Sequence, residues 1–87
     1  MQDVKELIGT IMRALDHADI GEAEVLDLDF DADGEVLAAV NDAYIKLLEF
    51  VHDRDQRRAN PDLDRQERAL LQNSLNEIVR VCEAGPR

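Results

Sequence analysis

Three carboxylates two residues apart, Asp29, Asp31 and Asp33, are followed at once by Gly34. At that spacing hard oxygen donors can converge on one hard cation, and glycine permits the sharp turn that brings them round it. Nothing else in the sequence asks for a cofactor. His17 lies beside Asp16 and Asp19, and His52 beside Asp53 and Asp55. Either could ligate a metal or sense pH, but both fall near expected helix C-termini, where a protonated or hydrogen-bonded imidazole simply suits the helix dipole. Cys82 belongs to an apolar stripe and reads as a small buried hydrophobe, not a nucleophile. The sequence has no glycine-rich phosphate loop, no paired-cysteine motif and no nucleophile with a base at a recognisable spacing, which argues against an enzyme.

The run from Asp29 to Val36, Asp-x-Asp-x-Asp-Gly-x-Val, resembles the first half of an EF-hand calcium loop. The second half departs from that pattern. Position twelve should be a bidentate Glu and is Val40, and the next carboxylate, Asp42, comes two residues later. EF-hands also tend to pair, and this chain has one such loop. The resemblance implies at most a weak divalent-ion site at Asp29, Asp31 and Asp33. Two other readings stand beside it. Asp33 would N-cap the helix that follows, with acidic neighbours favouring the positive end of its dipole, or the stretch is an acidic contact surface.

Charge placement favours a contact role. Of the net charge of −10, nine negative charges lie between Asp16 and Glu35 with no Lys or Arg among them, whereas from Asp53 to Arg68 five acids face five arginines. Arg54, Arg57 and Arg58 form the one basic cluster, but they alternate with acids and make no phosphate-tracking stripe, so direct nucleic-acid binding is disfavoured. An acidic stretch attracts a basic protein surface instead, with Glu22, Glu24, Asp27, Asp29 and Asp31 as the partner-binding candidates.

The elements that must position these residues are helical. Val4, Leu7, Ile8, Ile11, Met12, Leu15 and Ala18 recur at helical spacing, predicting a helix over 4–18 with an Asp3–Glu6 capping box and Gly21 as its stop. Residues 34–57 carry an apolar arc of about 220°, wider than two neighbouring helices obviously cover, which points to a homodimer through this face. A last helix starts after Asn60-Pro61, or at Asp64 with Glu67 as a capping box, and ends at Gly85-Pro86. Its stripe is Leu71, Leu75, Ile78, Val79 and Cys82, and residues 53–61 become the turn of a helical hairpin. Between the first two helices Leu26, Leu28 and Phe30 alternate with Asp27, Asp29 and Asp31, as an extended or irregular segment would. A short helical turn at 22–26 is the alternative.

The expected architecture is all-α. It is one three-helix domain over residues 1–87, an N-terminal helix plus a long antiparallel hairpin, with the acidic segment between helices 1 and 2. Eighty-seven residues make one modest core, and three aromatic residues build few ligand pockets. No apolar run approaches the ~20 residues of a membrane span. A single cysteine and the lack of an export pattern point to the reducing cytoplasm, and two lysines against eight arginines suggest a GC-rich bacterial genome. The function expected is a small acidic protein–protein interaction module, an inhibitor or adaptor for a basic protein. The alternatives are a weak calcium-binding module and a structural subunit of a larger assembly.

Overall fold

The computed structural model describes residues 4–16 and 19–84, and these are all-α. Five helices follow in order: α1 (Lys5–Leu15), α2 (Glu22–Leu26), α3 (Gly34–His52), α4 (Arg54–Ala59) and α5 (Pro61–Ala84). There is no strand among the described residues. The molecule measures 46 × 23 × 18 Å. No helix among the described residues is long and apolar enough to cross a membrane.

α3 and α5 form the long hairpin. Ser74 Oγ donates to Asp42 Oδ2 at 3.0 Å, and Arg57 meets Asp64 at 2.8 Å near the turn, so the two helices run antiparallel. Their buried faces are Val36, Ala39, Val40, Ala43, Leu47, Phe50 and Val51 on α3, with Leu71, Ser74, Leu75, Ile78 and Val81 on α5. The expected stripe on α5 was therefore right at Leu71, Leu75 and Ile78 and wrong at its end. Val79 and Cys82 are exposed because the stripe continues through Val81. On α3 the buried arc turns toward Ala39 and Ala43, and Leu37 and Ile45 are left exposed.

α1 buries Leu7, Ile11 and Ala14, with Val4 at its N-cap, and these join one core cluster with Val25 of α2. It stops at Leu15, earlier than expected. The Asp16 N–H bonds to the carbonyls of Met12 and Arg13. Gly21 does not stop this helix; it is the extended N-cap of α2. The expected capping residue Asp3, His17 and the Gly85-Pro86 stop lie outside the described residues.

The hairpin turn is itself helical. α3 ends at His52 rather than Arg57, and the Arg57 side chain folds back so that Nε donates to the Phe50 carbonyl at 2.9 Å, a group in the last turn of α3. α5 starts at Pro61, with Asn60 Oδ1 accepting the N–H groups of Asp62 at 3.1 Å and Leu63 at 3.3 Å. This is an N-cap with proline at the first helical position, as its fixed φ allows.

Candidate functional site

The acidic segment divides in two. Its first part is tied to the rest of the protein by Val25, which is fully buried, and by three ion pairs. Arg13 Nη2 meets Glu24 Oε1 at 2.9 Å, His52 Nδ1 stands 3.1 Å from Glu22 Oε1, and Arg54 Nη1 reaches Asp19 Oδ1 at 2.8 Å. All three pairs are exposed and screened by solvent, so they orient α2 more than they stabilise it. The hydrogen bond to Glu22 and its negative charge raise the His52 pKa above 6.5. Glu22 and Glu24, both partner candidates, are thus occupied within the chain.

The second part is irregular rather than helical. Leu28 and Phe30 turn half-buried onto the core, where Phe30 packs against Tyr44 with ring centroids 5.7 Å apart. Leu26 does not follow them; it is 61% exposed at the end of α2, and Val25 fills the core in its place. Asp27, Asp29 and Asp31 are exposed and form no ion pair among the described residues. Asp33 holds the N-cap position of α3, and its carbonyl accepts the Leu37 N–H at 3.1 Å. Gly34 has φ +60°, a conformation that favours glycine. Among the described residues no three Asp, Glu, His or Cys side chains gather to hold a metal ion, so Asp29, Asp31 and Asp33 are not brought together in that way. α3 begins at Gly34 itself, and the residues that would complete a calcium loop are wound into its first turns.

At the other end of α3, charges are drawn inward. The Arg57 guanidinium is almost buried and stacks over the Phe50 ring at 3.6 Å from its centroid, and its Nη1 donates to Asp64 Oδ1 at 2.8 Å. Arg68 takes the other oxygen of Asp64 at 2.8 Å and donates to the carbonyls of Ala14 and Leu15 at 3.3 and 3.2 Å, joining α5 to the C-terminus of α1. Burial by itself would raise the Asp64 pKa, but hydrogen bonds from Arg68 and Arg57 outweigh it and hold the carboxyl below its usual range.

These groups border a cleft of about 370 Å³, whose walls include Asp19, Phe50, Arg54, Arg58 and Pro61 as well as Arg57, Asp64 and Arg68. Beside the same network, Glu67 is pushed up to about 7 by burial and then by the charge of Asp53, and its Oε2 has no hydrogen-bond partner among the described residues.

No family model, curated protein or solved structure matches this chain.

The sequence reading missed Phe50, Arg57, Asp64, Glu67 and Arg68 as a set. One signal was available: Asp64 and Arg68 stand at i, i+4 at the start of a helix, where such a pair meets. The reach of Arg57 across seven residues to the same carboxylate needed the fold.

Proposed function

We propose that this chain is a small non-catalytic protein–protein interaction module, an inhibitor or adaptor, that docks a basic partner protein on Asp27, Asp29 and Asp31. The observation supporting it is the split within the acidic stretch. Arg13, His52 and Arg54 pair with the carboxylates around α2, while the three that follow stay exposed and unbalanced among the described residues. A run of unpaired charge speeds capture of an oppositely charged surface, and the exposed Leu26 beside it offers an apolar contact that charge alone lacks. The setting fitting this role is the reducing cytoplasm, where the exposed Cys82 stays a thiol.

The test is calorimetric titration with an arginine-rich peptide at low and moderate salt. Wild type should bind with an affinity that falls as salt rises. Replacing Asp27, Asp29 and Asp31 with Asn should weaken binding about tenfold, whereas neutralising Asp55, Asp62 and Glu83 should cost far less. Equal losses in the two triple variants would mean that net charge alone draws the peptide, and docking on Asp27, Asp29 and Asp31 would fail as a reading.

A specific observation also favours self-association. Leu37 and Ile45 are exposed on α3, with Tyr44 and Leu48 only half-buried, and the four lie at helical spacing on one side of the helix. A second copy of the chain packed there would cover this face. Sedimentation should show a concentration-dependent dimer that Ile45→Glu converts to monomer, and a wild type that stays monomeric at high concentration would remove this reading.

A further inference from the structure

We infer that the arginine-lined cleft at the α4 end is a binding site for a small phosphate-bearing molecule. Four guanidiniums, those of Arg54, Arg57, Arg58 and Arg68, border a single cavity of about 370 Å³, against the two carboxylates of Asp19 and Asp64. Among the lining side chains four positive charges face two negative, an excess that Glu67 and Asp53 beside Arg57 reduce, and that favours a phosphate dianion over a singly charged carboxylate. Guanidinium edges bind phosphate oxygens in pairs, with geometry that an ammonium cannot reproduce.

The four arginines divide the work. Arg57 and Arg68 are fixed in advance by Asp64, by backbone carbonyls and by the Phe50 ring, so little conformational freedom is lost when a ligand arrives. Arg54 and Arg58 are at the exposed rim. Arg54 is held only by an exposed pair with Asp19, and Arg58 has no ion pair among the described residues. An arriving phosphate would take the place of Asp19 on Arg54 and complete Arg58. The start of α5 is not what attracts it, because Asn60 already accepts the Asp62 and Leu63 amides there. The volume exceeds that of one inorganic anion and falls within the range of small-molecule pockets, leaving room for an organic group against Ile20, Val51 and Pro61. This site is independent of Asp27, Asp29 and Asp31 and would work whether or not they dock a protein.

The experiment follows the arginine Nε–H signals by NMR during titration with inorganic phosphate, then glycerol phosphate, then acetate, at constant ionic strength. Saturable shifts confined to Arg54, Arg57, Arg58 and Arg68 are expected with both phosphates, tighter with the ester, and much weaker with acetate. Arg58→Ala should weaken phosphate binding about tenfold, the loss of one charge-assisted pair. Asp19→Asn should tighten binding severalfold, since the competing carboxylate is gone. Both residues are exposed, so neither variant threatens the fold. Non-saturating shifts, equal shifts with acetate, or an Arg58→Ala titration indistinguishable from wild type would each overturn the site.

Discussion

At the α4 end, Arg57, Asp64 and Arg68 are drawn into the protein around Phe50, whereas from Asp27 to Asp31 every carboxylate faces solvent. Both regions are densely charged. The difference lies in what each charge can find. A guanidinium carries five donors and a flat face, so one side chain can satisfy a carboxylate, a carbonyl and an aromatic ring together, and Arg57 does all three. A carboxylate only accepts, and around Asp27, Asp29 and Asp31 the described residues bring no cation within reach. Charge with compensating partners can be buried and tie helices together. Charge without them must stay in water, where it is free to meet another molecule.

The largest expected effect tests the buried half of this contrast. Asp64→Ala leaves two guanidiniums facing each other without their shared carboxylate. Breaking such a pair costs about 3 kcal/mol, allowing for the partial exposure of Asp64. In a chain of this size that lowers Tm by on the order of 15 °C. The Asp27, Asp29 and Asp31 to Asn triple variant should stay within about 0.5 kcal/mol of wild type, as exposed substitutions do. Urea denaturation measures both, and similar costs would erase the distinction between the two regions.

A pH series sharpens the contrast next. Glu67 is pushed up to about 7 in the folded protein, above the 4.5 of a free Glu, by burial first and then by Asp53, with the opposing charge of Arg57 too weak to offset them. The folded state therefore holds this proton more tightly than the unfolded chain. The stability it contributes is complete below pH 4.5 and is lost as pH rises toward 7 and beyond. Asp64 works in the opposite direction, its contribution being lost in acid as the carboxyl is protonated. Glu67→Gln should raise stability at pH 8, on the order of 1 kcal/mol, and change little at pH 5. Thermal melts at the two pH values check this, and a gain of equal size at both would mean that the carboxyl charge is not what costs stability there.

Much of the scaffold was legible in the sequence, and the reason is periodicity. Leu71, Leu75 and Ile78 repeat as a helix repeats, and Asn60-Pro61 marks a helix start through the fixed φ of proline. The stripe misled at Val79 and Cys82 because hydrophobicity alone does not distinguish neighbouring apolar positions on a helix, and Val81 is the one that is buried. The acidic segment was harder. Alternating Leu and Asp suited an extended or irregular chain, which holds after Leu26, while the alternative reading, a short helical turn at 22–26, is what forms there as Glu22–Leu26, with Val25 buried in the core. The cleft was not legible at all. Arginines alternating with acids look neutral along the sequence, and the excess of guanidiniums appears only when Arg68, a further turn away on α5, is folded back beside Arg57.

A smaller effect is expected at Gly34, where the acidic segment enters α3. Its φ of +60° strains any residue with a Cβ, although no atom lies within 4 Å of where that carbon would sit. Gly34→Ala should cost about 1 kcal/mol through backbone conformation alone, and a stabilising effect would show that the segment can relax freely at this joint.

The smallest expected effect belongs to the ion pair that holds α2 to α3. Glu22 raises the His52 pKa by hydrogen bond and charge, so this contact stabilises the fold fully below the ordinary histidine value and loses its effect as pH rises through the raised one. Glu22→Gln should return the His52 titration midpoint toward 6.5, read directly from its imidazole NMR signals. It should lower Tm slightly at pH 5.5 and leave it unchanged at pH 9, where the histidine is neutral with or without its partner. An unshifted midpoint would mean that Glu22 is not within bonding reach in solution. α2 would then be held by Val25 and the Arg13–Glu24 pair, and Glu22 would be free to join Asp27, Asp29 and Asp31 on the surface offered to a basic partner.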